Sequence, residues 1–273
     1  MKREYDLNAP FSGSVPVEDL AGKVAIVTGA SRGIGRAIAR RFADGGAKLV
    51  LTSTSEASIQ ETKSLLLTCR TDKVATVATP DGDAASVVST ALDTFGRIDI
   101  IVNNAGTTKT GDFLELTDGD WADGYATKVF AAMRLCREAW PSLKEVGGSI
   151  INIGGAGGRT PDQFFTIGGS VNAAVMAFTK ALAQRGIQDG VQVNAVNPGL
   201  IKTDRLKRRI SEGAERWGVC EAVAEARLLV EHRIARFGDP SEVAELIAYI
   251  ASPSGRLLQG ALIDADAGYT KGI

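Results

Sequence analysis

Residues 24–42 read VAIVTGASRGIGRAIARRF: an apolar run, a turn carrying three glycines, then a helical pattern. Gly29, Gly33 and Gly35 let a backbone turn tightly and come close to a ligand. The helix that follows presents free N–H groups and the positive end of its dipole, which favour an anion such as a pyrophosphate. Further apolar runs recur at 48–53, 74–79, 98–104, 149–154 and 191–197, with a seventh at 261–268. Their near-continuous apolar character fits strands of a parallel sheet covered on both faces. Helical patterns separate them; Val171, Val175, Phe178 and Leu182, for example, fall on one stripe. Alternation of this kind predicts an α/β, Rossmann-like, doubly wound parallel sheet in a single domain.

Composition narrows the function. The 273 residues suit one large domain, with 44% hydrophobic and 23% charged residues. A net charge of -1 gives no reason to expect nucleic acid or a membrane as partner, and no apolar run reaches spanning length. Cys69, Cys136 and Cys220 have no metal-ligand spacing, so no metal is expected, and their odd number suits a reducing compartment. The first 20 residues carry charge and lack the apolar core of a signal peptide. A cytoplasmic protein with an N-terminal arm over 1–20 and one domain over 21–273 is the simple reading. The stretch 200–236, rich in charge and helical in period, breaks the alternation and reads as a helical cover over the ligand end of the sheet.

Four ordered motifs carry a resemblance. TGASRGIG (28–35), NNAG (103–106), NPGLIKT (197–203) and the tail RFGDPSEVAELIAYIASP (236–253) resemble those of the short-chain dehydrogenase/reductase family. The likeness runs from about residue 20 to about residue 268. It implies a bound NADP or NAD held by Gly29, Ser31, Arg32, Gly33, Ile34 and Gly35, by Ser53 and Thr54, by Asn104, Ala105 and Gly106, and by Pro198, Gly199, Ile201 and Thr203. NAD sites usually place an acid at the end of the second strand; here Thr52, Ser53 and Thr54 stand there, and Arg32 resembles a partner for a 2'-phosphate. Pro80 stands where relatives commonly have an aspartate to the adenine. Family members also often form homotetramers, so a homo-oligomer is implied.

The resemblance fails where the chemistry should be. Its members move the proton with Tyr-x-x-x-Lys on one helix face, a preceding Ser, and an Asn on an earlier helix. Counting from AFTKALA (177–183) puts Gly168 at the tyrosine and Asn172 at the lysine; INIGG puts Gly155 at the serine; Trp121 puts Lys128 at the asparagine. None of the tyrosines, at 5, 125, 249 and 269, falls on the helix after the fifth strand. Asn and Lys have thus exchanged places between 128 and 172. Lys128 is a candidate general acid, electrostatic clamp or Schiff-base nucleophile, with a solvated or salt-bridged lysine as the alternative. The glycines at 154, 155, 157, 158, 168 and 169 predict an enlarged pocket or a closer backbone approach, with Asp162, Gln163 and Thr166 as further lining. Tyr125 reads as a packing residue, and His232, the only histidine, as structural. Three functions remain open on a small-molecule ligand: an NAD(P)-dependent oxidoreductase with an atypical active site, a dinucleotide-binding protein without turnover, and a non-redox lyase or hydrolase.

Overall fold

The computed structural model describes residues 19–66, 69, 71, 73–79 and 82–272; the expected arm lies almost wholly outside them, as does Pro80. Seven parallel strands form one sheet in the order β3-β2-β1-β4-β5-β6-β7. They are β1 (Val24–Val27), β2 (Lys48–Ser53), β3 (Val74–Ala78), β4 (Ile100–Asn103), β5 (Ser149–Ile153), β6 (Gln192–Pro198) and β7 (Leu262–Ala265). All seven expected runs are strands, mostly shorter than the apolar stretches because the last residues of several turn into ligand-end loops.

Period-2 alternation sorts the strand residues into two cores. On one face Ala25, Val27, Leu49, Leu51, Val102 and Ile151 meet α1 (Gly33–Asp44) and α9 (Pro240–Ala251) through Ile38, Phe42, Val243 and Ile247. On the other, Ile26, Val50, Ile101, Ile150 and Val193 meet α3 (Ala84–Phe95) and α5 (Ala131–Val146) through Val87, Val88, Leu135 and Leu143. The helix α2 (Glu56–Leu65) links β2 to β3, and α6 (Thr166–Asp189) links β5 to β6. The stretch expected as a cover is two helices, α7 (Asp204–Trp217) and α8 (Glu221–His232), sharing a small core of Leu206, Leu228, Ile234 and Phe237. Among the described residues no helix is long and apolar enough to cross a membrane.

The chain leaves β1 for β2 on one side, and β4 then returns to pair with β1 on the other. This reversal opens a crevice beyond the C-terminal ends of β1 and β4, where doubly wound sheets bind ligands. The glycine turn and the 104–106 loop flank it and are bolted together. Asn104 Nδ2 donates to Thr28 O at 2.9 Å and Gly29 O at 3.1 Å, and Ala105 N donates to Thr28 Oγ1 at 2.9 Å. Gly29 has φ 63°, and a Cβ there would lie 2.9 Å from Ala105 Cα. A Cβ on Gly35 would lie 2.2 Å from Gly29 O and 2.5 Å from Asn104 Nδ2. Gly35→Ala is therefore expected to lower stability by about 1–3 kcal/mol through overpacking, seen as a lower urea midpoint with an unchanged slope.

Candidate active site

The N-terminus of α1 is open to a ligand. Its N-cap residue is Arg32, extended in backbone and making no side-chain cap, so the first helical N–H groups keep no partner from that side chain. Gly33 follows at φ 54°, and Ile34 packs its side chain against the α1–α9 core. Ser31 O accepts from Thr62 Oγ1 at 3.2 Å and from Arg36 Nη2, which fixes the turn from behind. Arg32 is exposed and has no ion-pair partner among the described residues. Ser53, at the end of β2, is buried and bonded through Oγ to Ser58 Oγ and Ser55 N, whereas Thr54 is exposed. Opposite, Pro198 ends β6, Gly199 is pressed against Asp266, and Ile201 bridges to Gly238. Thr203, the N-cap of α7, brings its Cγ2 to 3.2 Å from where a Cβ on Gly33 would sit. The glycine turn, NNAG and NPGLIKT thus meet around one crevice, with the tail touching it through Gly238, and the Asn104 side chain is engaged in holding the glycine turn.

Lys128 lies on the same crevice. It belongs to a π-helical turn, Ala126–Phe130, set between α4 (Asp118–Tyr125) and α5; such insertions re-aim a side chain and recur at functional sites. Its stem packs against Gly106, where a Cβ would be only 2.8 Å from Lys128 Cβ and Cγ. Its Nζ donates to Gly154 O at 2.9 Å and to Asn172 Oδ1 at 2.7 Å. Lys128 and Asn172 therefore touch. Neither acceptor carries charge, and burial, helped by repulsion from Arg205, lowers the Lys128 pKa to about 7.

The helix that carries Asn172 is tied to the sheet by a buried polar chain. Asn103 Nδ2 donates to Asn152 Oδ1 at 2.8 Å, and Asn152 Nδ2 donates to Thr179 Oγ1 at 2.9 Å. These bonds tie β4 to β5 and β5 to α6, fixing the helix that carries Asn172. The expectation of an enlarged pocket at Gly168 is corrected. A Cβ there would meet the Phe165 ring at 2.0–2.4 Å, so that ring occupies the space a side chain on 168 would enter. The same ring lies 3.0 Å from a Cβ on Gly157, while Met176 and Asn172 fill the space beside Gly158. Sequence reading missed Phe165. The signal was present: a bulky apolar residue among small ones fills the volume they leave.

The other candidates divide. Asp162 Oδ1 caps Phe164 N at 2.8 Å, Gln163 is exposed, and Thr166 Oγ1 is buried with no hydrogen-bond partner. Tyr125 stacks obliquely on Phe130, with ring centroids 6.4 Å apart, as a packing residue would. His232 contacts Arg209 through Nε2 at 2.8 Å and faces Tyr269 with ring centroids at 4.9 Å, inside the cover. The cover reaches across the crevice: Thr203 abuts the glycine turn at one end of α7, and at the other Arg216 lies over the Phe164 ring at 5.5 Å.

Comparison with known proteins agrees with this architecture. A family model described as enoyl-(acyl carrier protein) reductase matches residues 29–270. The 3-oxoacyl-[acyl-carrier-protein] reductase FabG of Vibrio cholerae is 35% identical over 251 residues, covering 92% of this chain and 98% of that protein. Dehydrogenase/reductase SDR family member 4 of Caenorhabditis elegans is 33% identical over 248 residues, covering 89% and 93%. Among solved structures, L-sorbose reductase from Gluconobacter frateurii, complexed with NADPH and L-sorbose, superposes with a TM-score of 0.88 at 32% identity, covering 94% of this chain and all of that one. With its glycine turn, its crevice at the β1–β4 reversal and relatives matched over nearly their whole length, the chain belongs to the short-chain dehydrogenase/reductase family.

Proposed function

We propose that the protein is an NADP(H)-dependent oxidoreductase of a carbonyl–alcohol pair, in which Lys128 handles the proton and the usual Tyr-x-x-x-Lys, Ser and Asn side chains are replaced. The observation that carries this reading is the hydrogen-bonded Lys128, enclosed with neutral partners beside Gly106 at the ligand end of the sheet. The crevice fits a dinucleotide. Gly29 and Gly35 let the turn pack tightly on the 104–106 loop, the α1 N-terminus keeps donors for a pyrophosphate, and Arg32 is a free fork for a 2'-phosphate. The absence of an acid among Thr52, Ser53 and Thr54 favours NADP over NAD.

NADPH supplies the hydride when bound. The protein's own part is to place the carbonyl oxygen near Lys128 Nζ and to give it a proton. Of three N–H donors on the ammonium, two are used on Gly154 O and Asn172 Oδ1, which aim the head group and leave the third for substrate. A pKa near 7 lets the group give or take a proton at neutral pH, as efficient acid–base catalysis requires. Phe165, in the space beside Gly168, supports a second reading in which the chain binds the dinucleotide and turns nothing over.

Two outcomes test this reading. NADPH is expected to bind more tightly than NADH in a fluorescence titration, with Arg32→Ala removing most of the preference; an NADH preference untouched by that change counts against it. For catalysis, kcat/KM for reduction should fall as pH rises through about 7, because the protonated lysine is lost there, and the rate of the reverse oxidation should rise. Lys128→Ala should abolish this inflection and cost about 10²–10⁴-fold. Gly168→Tyr with Asn172→Lys and Gly155→Ser should not restore family-type reduction unless Phe165→Ala also vacates the ring's space. Stopped-flow oxidation of NADPH over a panel of ketones, aldehydes and oxo acids reads the reduction rates, reduction of NADP by the matching alcohols reads the reverse, and a panel without turnover favours the second reading.

A further inference from the structure

The first turn of α7 carries Arg205, and Arg208 follows three residues later on the same face. Thr203, two residues before Arg205, is packed against Gly33, so this turn stands at the glycine loop. The charge of Arg205 is felt at Lys128, and those of Arg208 and Arg32 at Arg205. The four cations thus share the ligand end of the sheet, Arg32 on the glycine loop, Arg205 and Arg208 on the helix that begins beside it, and Lys128 packed on Gly106. Among the described residues none of them has an ion-pair partner, and Arg32, Arg205 and Arg208 bond no acceptor of the protein. Asp204 lies in the same turn yet pairs with neither arginine.

Like charges brought together without a counter-ion repel, and clefts lined by one sign concentrate ligands of the other. The α1 N-terminus and Arg32 already suit the phosphates of a dinucleotide. That leaves Arg205, two residues after the Thr203 that packs on the glycine loop and electrostatically coupled to Lys128, with no anion assigned to it. Arg205 is exposed as a residue, yet burial is the first of the influences that lower its pKa, ahead of repulsion from Arg208 and Arg32. The guanidinium presents a planar pair of donors, the geometry that matches a carboxylate or phosphate.

We propose that Arg205, with Arg208 beside it, holds an oxyanion carried by the substrate, so that the carbonyl compound turned over next to Lys128 is an acid rather than a neutral ketone. This deepens the reading given under Proposed function and rests on it. Held at Arg205, the substrate's anion neutralises a charge that opposes protonation of Lys128 and so favours the proton donor in the complex.

The test uses the full chain saturated with NADPH and two probes, malonate and inorganic phosphate, titrated by calorimetry. At least one probe is expected to bind saturably, the two separating a carboxylate from a phosphate as the group recognised. Arg205→Gln should weaken that binding by about ten-fold or more, while NADPH affinity stays within about two-fold. Arg205→Lys keeps the charge but loses the fork, and should fall between the two. Failure of both probes to bind the loaded wild type below about 50 mM overturns the proposal, as does an Arg205→Gln protein that binds them unchanged. Weakened NADPH binding instead would assign Arg205 to the cofactor's phosphates and also overturn it. If NADPH itself does not bind the wild type, the cofactor reading falls. The probes are then titrated into the protein alone, where loss of binding in Arg205→Gln upholds the oxyanion site and absence of binding in the wild type rejects it.

Discussion

The ammonium of Lys128 is enclosed against two neutral oxygens, Gly154 O and Asn172 Oδ1, with the charge of a guanidinium and of no carboxylate felt at it. That one arrangement organises the site. The two bonds join the π-turn before α5 to the end of β5 and to α6, three separate segments meeting at the ligand end of the sheet. They also set the protonation of the lysine. A lysine paired with an acid stays charged through neutrality; one desolvated among dipoles and repelled by Arg205 gives up its proton near pH 7.

The scaffold makes that placement possible by close approach. Asn104 spends its amide on the carbonyls of Thr28 and Gly29, so the loop after β4 is locked onto the turn after β1. Gly106 then gives the lysine stem room to cross. Farther in, the Asn103–Asn152–Thr179 chain ties α6 to the sheet, and with it Asn172. A small shift in any of these contacts would move the Lys128 head group, and positioning errors of about 1 Å can cost about 10²-fold in rate.

Much of this was legible in the sequence. Apolar strands separated by helical patterns determine a doubly wound sheet, and all seven runs became strands. The glycine turn, NNAG and NPGLIKT converge because the topology puts the ends of β1, β4 and β6 along one edge. Counting singled out Lys128 and Asn172 together, though not that the two side chains bond. Less legible was what fills the space the glycines leave. Glycines at 155, 157 and 168 suggested open space, but interiors close around voids: Asn172 lies beside Gly155, and Phe165, three residues before Gly168, turned into the space at 157 and 168. The charge pattern of α7 read as a cover; that the charge of Arg205 would be felt at Lys128 depends on the helix's rotation, which period alone does not fix.

The most direct test is the titration of the Lys128 side chain itself, followed by NMR of the ε-carbon in protein labelled with 13C-lysine and assigned through Lys128→Arg. The account predicts an inflection near pH 7, well below the ordinary lysine value, with the resonance lost in the variant. An inflection near the ordinary value of about 10.4 would mean that the ammonium is solvated or paired, and would contradict Lys128 as the group that moves the proton.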